Sequence, residues 1–140
     1  MESRKEYSLY EVTTSIKSVI EINIKQKYWI KAEINRLNYY PASGHCYPEL
    51  VEKKDGKIIA QIKGIIWRDN YLRINENFKN VLKEPLKDGI KILMYGRVTY
   101  DQVYGLSLNI EDIDVSFSLG DLEREKNETI EKLKKEGIFN

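Results

Sequence analysis

Apolar residues recur at helical spacing in three parts of the chain. In the first part Leu9, Val12 and Ile16 are separated by three or four residues, which places their side chains on one face of an α-helix. Ser8 and Glu11 form a capping-box pattern, in which the two side chains satisfy free N–H groups at the helix start. The pattern predicts helices over 9–22, 69–82 and 120–137, the last of them strongly charged.

Between these helices the apolar period changes to two, which is typical of strands with one buried face. Pro, Gly, Asn and Asp cluster in the segments between the alternating stretches and predict turns there. The predicted strands are 28–34, 45–52 with Pro48 at an edge or bulge, 57–67, 90–100, and 106–117 with a register break near Asp112. The predicted inward faces include Ile30, Ala32 and Ile34; Ile58, Ala60, Ile62, Gly64 and Ile66; Ile90, Ile92, Met94 and Val98; and Leu106, Leu108 and Ile110.

The order of these elements predicts the fold. Three strands, a helix and two strands, with a further helix at each end, form the layout of an OB-fold barrel. We therefore expect a mainly β protein with a five-stranded antiparallel barrel, since closure removes the exposed edges of an open sheet. Other small barrels and an α+β sandwich share this order and stay open as alternatives. The expected division is an N-terminal helical segment at 1–26, the barrel at 27–118 and a connector helix at 119–140.

Composition is that of a soluble globular protein. The 140 residues suit one domain, and 41% hydrophobic with 32% charged residues argues against a disordered chain. No apolar run approaches the ~20 residues that span a bilayer, and the charged N-terminus predicts no secretory signal. Cys46 is the only cysteine and has no partner for an internal disulfide, so we expect a cytoplasmic protein.

The residues give little support for a catalytic site. Metal-dependent hydrolysis needs several converging carboxylates or histidines, and His45 is the only histidine. Glu111, Asp112 and Asp114 form the densest acidic cluster on a strand, and we interpret them as a solvated face. His45 and Cys46 are neighbours on a predicted strand and so point to opposite sides. We therefore expect a non-enzymatic chain without metal or cofactor.

Single-strand binding makes other demands, namely cations for phosphates and aromatic rings for bases. The net charge of +1 does not predict a nucleic-acid ligand, whereas ten tyrosines and two tryptophans are suggestive. OB folds bind oligonucleotides across strands two and three and the loops after strands one and four. On the predicted strands this surface contains Arg36, Tyr39, Tyr40, His45, Tyr47, Lys63, Trp67, Arg68, Arg97 and Tyr104. Core packing is the alternative for Tyr47 and Trp67, and solvation is the alternative for the four cations.

Several segments, in chain order, resemble the N-terminal domain of the large subunit of bacterial exodeoxyribonuclease VII. They are Tyr-Ser-Leu-Tyr-Glu-Val at 7–12, Trp-Ile-Lys-Ala-Glu-Ile at 29–34, Ser-Gly-His-Cys-Tyr at 43–47, Ile-Ile-Trp-Arg at 65–68, Gly-Arg-Val with Tyr100 and Gly105 at 96–105, and Glu-Gly-Ile-Phe-Asn at 136–140. The family usually has Gly in place of Ala32 and Phe in place of Pro48. His45 lies in the family's Ser-Gly-His-x-Tyr segment.

The resemblance implies an OB domain that binds single-stranded DNA and presents it to a nuclease domain that would follow residue 140. It also implies that the family's small subunits contact regions outside this chain. Two rival functions stay open, a barrel for protein assembly and a barrel that recognises RNA. Salt-sensitive binding would separate nucleic acid from protein as the ligand.

Overall fold

The structure, a computed structural model, describes residues 3–137. Its elements along the chain are α1 (Leu9–Asn23), β1 (Lys27–Arg36), β2 (Glu49–Lys54), β3 (Lys57–Ile65), α2 (Arg68–Leu82), β4 (Lys91–Asp101), β5 (Gly105–Ile113) and α3 (Val115–Lys135). All the predicted helices and strands are therefore present. Of the family-like segment at 136–140, residues 138–140 lie outside the described part.

The five strands close into one barrel in the order β1-β2-β3-β5-β4. This confirms a mainly β, OB-type barrel with a helix between β3 and β4. The expectation of a wholly antiparallel barrel is wrong, because β3 and β5 pair in parallel. The reason is geometric: an odd number of strands cannot alternate in direction all the way round a ring, so one neighbouring pair must run the same way.

The inward faces of the strands and one face of α2 form a single core. Ile34, Ile92 and Ile110 are fully enclosed within it. Phe78 of α2 is also fully enclosed and belongs to the same cluster. Each such side chain contributes roughly 1.5–3 kcal/mol on burial, so α2 is an integral part of the barrel.

Two predicted inward faces are partly wrong. Gly64 and Ile66 of the third strand are buried, but Ile58 is 50% exposed and Ala60 is exposed as well. The first half of β3 pairs only with the second half of β2, so this hairpin extends past the closed part of the barrel. Leu106, beside the turn of the β4–β5 hairpin, is 47% exposed for the same reason, since β5 pairs with β3 only at residues 107–109.

The register break predicted near Asp112 is confirmed. Tyr95 pairs with Asp112 and Gly96 with Ile110, which leaves Glu111 as the extra residue of a bulge in β5. The prediction that this strand continues to residue 117 is wrong. Asp114 instead caps α3, because its carboxylate accepts the backbone N–H groups of Ser116 and Phe117, and the helix begins at residue 115.

Helix α1 lies on the outside of the barrel. Its start agrees with the capping pattern, since the Ser8 hydroxyl accepts the N–H of Glu11 at 3.1 Å. Among the described elements α1 packs against β4 alone, and none of its residues is buried. Helix α1 can therefore form one edge of a site on the outer face of β4.

Candidate nucleic-acid interface

Side chains on the outer face of the barrel lie in rows that cross the strands. In one row Arg97 of β4 pairs with Asn109 of β5, which pairs with Ile65 of β3. In the next row Ser107 of β5 lies between Thr99 of β4 and Lys63 of β3. Because paired residues on adjacent strands share a face, these rows form a continuous polar and apolar floor.

This floor is the base of a cleft of about 1200 Å³. The segment between β1 and β2 borders it on one side, through Asn38 and Tyr40. The β4–β5 turn contributes Tyr104, α1 contributes Lys17, and the segment just after α1 contributes Lys25. The cleft therefore lies between the β1–β2 segment and the β4–β5 turn, the two loops that flank the oligonucleotide site of OB folds, with α1 as a further wall.

Four of the aromatic residues selected from the sequence line this cleft. Tyr40 is 53% exposed and meets Tyr47 edge-on, with ring centroids 5.5 Å apart. Trp67 is 44% exposed and Tyr104 is 77% exposed. Rings held at a surface with free faces can stack on nucleobases.

The position of Tyr104 is fixed by the turn that carries it. The carboxylate of Asp101 accepts the backbone N–H groups of Val103 at 2.8 Å and Tyr104 at 2.9 Å. These hydrogen bonds, that from Tyr104 first, hold the pKa of Asp101 below its ordinary value. The ionised carboxylate therefore orders the turn and presents the tyrosine ring at the cleft mouth.

The cleft contains charges of both signs. Its cations are Lys17, Lys25, Lys63 and Arg97, and its acids are Glu21, Glu49 and Asp101. Within residues 3–137, Lys25, Lys63 and Arg97 form no salt bridge, whereas Lys17 lies 3.9 Å from Glu21. Unpaired cations are available to phosphates without first losing another partner.

Asn109 lies at the centre of the floor. Its side-chain oxygen Oδ1 is enclosed and has no hydrogen-bond partner in the described part of the chain. A buried amide oxygen without a donor destabilises a fold by about 1–3 kcal/mol. A polar side chain that is unfavourable for stability is thus held between Arg97 and Ile65, in the middle of the candidate interface.

Four of the selected residues lie outside the cleft. The ring of Tyr39 stacks on that of Tyr71 at 4.6 Å, and His45 accepts the N–H of Arg68 at the start of α2. The aliphatic part of Arg68 covers Gly44. Arg36 ends β1 at an exposed position. The structure therefore brings together Tyr40, Tyr47, Lys63, Trp67, Arg97 and Tyr104 in the cleft. Arg36, Tyr39, His45 and Arg68 do not line it, although the ring of His45 meets that of Trp67 edge-on at 5.0 Å.

The sequence reasoning missed the contributions of α1 and of the floor. Lys17 and Lys25 carry no local signal, because only the packing of α1 on β4 brings them to the cleft. Asn109 could have been selected, since an amide stands there on the outward face of a predicted strand.

Cys46 is chemically quiet. Its thiol is buried, which raises its pKa to about 12, and Sγ donates to the carbonyl oxygen of Leu37 at 3.0 Å. Among residues 3–137, no group of three or more His, Cys, Asp or Glu side chains is arranged to hold a metal ion. Within the same part of the chain, no helix has the length and apolar character needed to cross a membrane.

Residues 7–114 match the family described as the OB-fold nucleic acid binding domain. This match covers most of the chain, so the protein belongs to that family and is an OB-fold nucleic-acid-binding domain.

The resemblance to the exodeoxyribonuclease VII large subunit is also confirmed. The exodeoxyribonuclease 7 large subunit of Leptospira interrogans is 34% identical over 142 residues, which cover 99% of this chain and 30% of that protein. The large subunit of Deinococcus radiodurans is 26% identical over 119 residues, which cover 81% of this chain and 28% of that protein. The chain therefore spans less than a third of the length of these curated relatives.

Among solved structures, the mitochondrial single-stranded DNA-binding protein Rim1 of S. cerevisiae matches 64% of this chain and 90% of its own. The TM-score is 0.42 and the identity is 17%. Likeness at this level carries no functional information.

Proposed function

We propose that this domain binds single-stranded DNA along the cleft and, in a longer protein, holds the strand for a nuclease domain. One observation supports the proposal above the others. Six of the ten side chains selected from the sequence line a single cleft, and they combine four aromatic rings with two cations. Lys17 of α1 and Lys25, just after that helix, add two more cations to the same cleft.

The choice of a single strand over a duplex follows from the aromatic rings. Stacking needs unpaired bases with accessible faces, and each stacked base contributes roughly 1–3 kcal/mol with little dependence on sequence. The small net charge of +1 fits this division of labour. We expect stacking to supply much of the affinity and phosphate contacts to supply the salt dependence.

The test is fluorescence anisotropy of labelled single-stranded DNA titrated with the chain over a range of salt concentrations. If the four cleft cations all contact phosphates, the logarithm of the binding constant falls against that of salt with a slope of about −3. Lys63→Ala should make the slope shallower by about 0.7. Lys126→Ala removes the same charge from the exposed side of α3 and serves as the matched control.

Absence of binding even at low salt would contradict the proposal. A competition between DNA and RNA oligonucleotides of one sequence decides between the two nucleic acids. RNA that competes more strongly than DNA would identify RNA as the ligand, since the 2′-hydroxyl is the group by which a site distinguishes them.

Protein assembly is the second candidate, and α1 is the observation that favours it. Leu9 is 78% exposed, Val12 45%, Ile16 40% and Val19 59%, all on one side of the helix. A stripe of this kind can pack against another helix. Sedimentation velocity of the chain over a range of concentrations tests this candidate. Protein assembly requires either a complex of the chain with itself whose population rises with concentration, or a complex with an added protein partner.

Four further inferences, on this chain and on the longer protein, belong to the proposal. We infer that the chain binds DNA without cleaving it, which incubation of the pure chain with labelled oligonucleotide and Mg²⁺ would check. We infer that small subunits bind elsewhere in the longer protein. We also infer that the whole of α3, rather than residues 119–140 alone, leads towards the nuclease domain. We also place the protein in the cytoplasm, in keeping with the buried free thiol of Cys46.

A further inference from the structure

A second aromatic site lies on the outer face of the barrel, beyond the cleft. Trp29 of β1 and Tyr95 of β4 are paired across the two strands. Their ring centroids are 5.0 Å apart and the rings are tilted by 39°. Trp29 is 53% exposed. More than half of the Trp29 side chain is therefore in contact with solvent, an exposure that packing in the core does not require.

The ring pair is continuous with the cleft. Tyr95 precedes Arg97 by two residues on β4, so both side chains leave the same face about 7 Å apart along the strand. Lys27 of β1 pairs with Arg97 and so extends that row of the cleft floor onto β1, next to the ring pair. A strand that leaves the cleft past Arg97 therefore meets Lys27 and then the two rings.

The acidic residues beside this path are already paired. Glu111, at the bulge of β5, lies 2.8 Å from the ammonium group of Lys27. Asp112, which pairs with Tyr95 across the strands, lies 3.0 Å from the guanidinium group of Arg73. Both carboxylates have a cation of the protein beside them, so they repel a passing phosphate less than free acids would.

The far side of the ring pair is closed. Lys31 follows Trp29 on the outer face of β1, and its ammonium group lies 5.8 Å from the ring centroid of Phe117 in α3. Helix α3 therefore borders the site opposite the cleft. The ring pair is bounded by cations on both sides and is open to solvent between them.

We propose that Trp29 and Tyr95 form an outlying stacking platform for a base of single-stranded DNA that has already passed through the cleft. This inference rests on the proposed function and extends its footprint from the cleft floor on β3, β4 and β5 to β1. OB folds hold about 4–16 nucleotides, so a strand at the upper end of that range is long enough to fill the cleft and reach a neighbouring platform. A strand at the lower end fills the cleft alone.

The two tryptophans of the chain allow a direct test, because one lies in the cleft and the other on the platform. Trp67→Phe leaves Trp29 as the only tryptophan, and Trp29→Phe leaves Trp67. Each variant is titrated with thymidine oligomers of about 4 and about 16 nucleotides, while anisotropy of the same oligomers reports binding. We expect both oligomers to quench Trp67 and only the longer one to quench Trp29.

Affinity gives an independent readout. Trp29→Ala should weaken binding of the longer oligomer by about 5- to 150-fold, the loss of one stacked base, and leave binding of the shorter one unchanged. Ile59→Ala is the matched control, because Ile59 is 55% exposed on the projecting β2–β3 hairpin, away from both sites.

The outcomes separate this inference from the proposed function. If the longer oligomer binds the Trp67→Phe chain but leaves the emission of Trp29 unchanged, the platform is ruled out and the cleft still binds DNA. Equal weakening of both oligomers by Trp29→Ala would also overturn an outlying position. If neither oligomer binds the unaltered chain, the proposed function fails and the platform with it.

Discussion

The imidazole Nδ1 of His45 accepts the backbone N–H of Arg68 at 3.0 Å, so a side chain from the segment between β1 and β2 caps α2. The N-cap residue of that helix, Trp67, makes no side-chain capping bond of its own. Gly44 makes the approach possible, because its φ of +79° is left-handed and a Cβ there would lie 2.8 Å from Cγ of Arg68. The Ser-Gly-His segment thus fixes the start of α2 and, with it, the ring of Trp67.

We expect His45→Ala to lower the free energy of unfolding by about 1 kcal/mol, the usual effect of losing a helix cap. His45→Asn should restore most of this stability, since its side-chain oxygen can accept the same N–H group. Urea denaturation followed by circular dichroism measures both. Unaltered stability of His45→Ala would show that the capping bond contributes nothing.

Gly96 is required by the bulge of β5. A Cβ at this position would collide with the backbone carbonyl group of Asn109, which has no room to move within the sheet. Gly96→Ala should therefore destabilise the fold by about 1–3 kcal/mol, as other overpacked sites do. Gly120→Ala is the matched comparison, because it lies within α3 with open space around it. That variant should stabilise the fold by roughly 0.5–1 kcal/mol.

The sequence predicts the barrel well because alternation of apolar residues depends on local geometry. Ile30, Ala32 and Ile34 alternate in the sequence and face the core in the structure. Closure is not local, and the exposure of Ile58 follows from where β2 stops pairing with β1. No pattern within the hairpin itself carries that information.

The residues of the candidate site likewise divide into those that local strand geometry predicts and those whose position depends on long-range packing. Alternation along the predicted strands assigns Lys63 and Arg97 to the outer face, and both lie in the cleft. Tyr39 follows the same logic of a loop aromatic beside the groove, yet its ring stacks on Tyr71 of α2. Lys17 reaches the cleft only because α1 packs on β4. Alternation along a strand determines which face a side chain lies on, whereas the packing of a helix determines what covers that face.

The cap of α3 should make stability depend on pH. Hydrogen bonds to its carboxylate, that from the Ser116 hydroxyl first, hold the pKa of Asp114 below its ordinary value of about 3.9. A lowered pKa means that the stabilisation is complete above the ordinary value and is lost as the pH falls through the folded-state pKa.

Asp114→Asn keeps a capping oxygen without the charge. At neutral pH it should be less stable than the unaltered chain by up to about 1 kcal/mol, the effect of a charge near a helix N-terminus. Thermal unfolding at a series of acidic pH values measures the difference, which should vanish as Asp114 becomes protonated. A difference that stays constant with pH would exclude a role for the ionised carboxylate.

Asn109 should show a conflict between stability and binding. Asn109→Val removes the enclosed oxygen that has no donor and places a β-branched residue in a central strand, so it should stabilise the fold by about 1 kcal/mol. Asn109→Asp should have the opposite effect, because a charged oxygen would then be enclosed. If the amide contacts base edges in the cleft, the valine variant binds single-stranded DNA more weakly. A valine variant that is more stable and binds equally well would remove Asn109 from the interface.

The β4–β5 turn offers the cleanest test of the cleft, because it carries two exposed residues with different positions. Tyr104 is 77% exposed and lines the cleft, whereas Val103 is 82% exposed and does not. Neither side chain contributes to the core, so replacement of either by alanine should leave the unfolding free energy within about 0.5 kcal/mol of that of the unaltered chain.

Tyr104→Ala should weaken binding of single-stranded DNA by roughly 1–3 kcal/mol through the loss of one stacked base, and Val103→Ala should not change it. Anisotropy titrations at one fixed salt concentration measure both affinities. Equal affinities of the two variants would mean that the bound strand does not reach this turn, and the path of the DNA would then have to be confined to Tyr40, Tyr47 and Trp67 on the other side of the cleft.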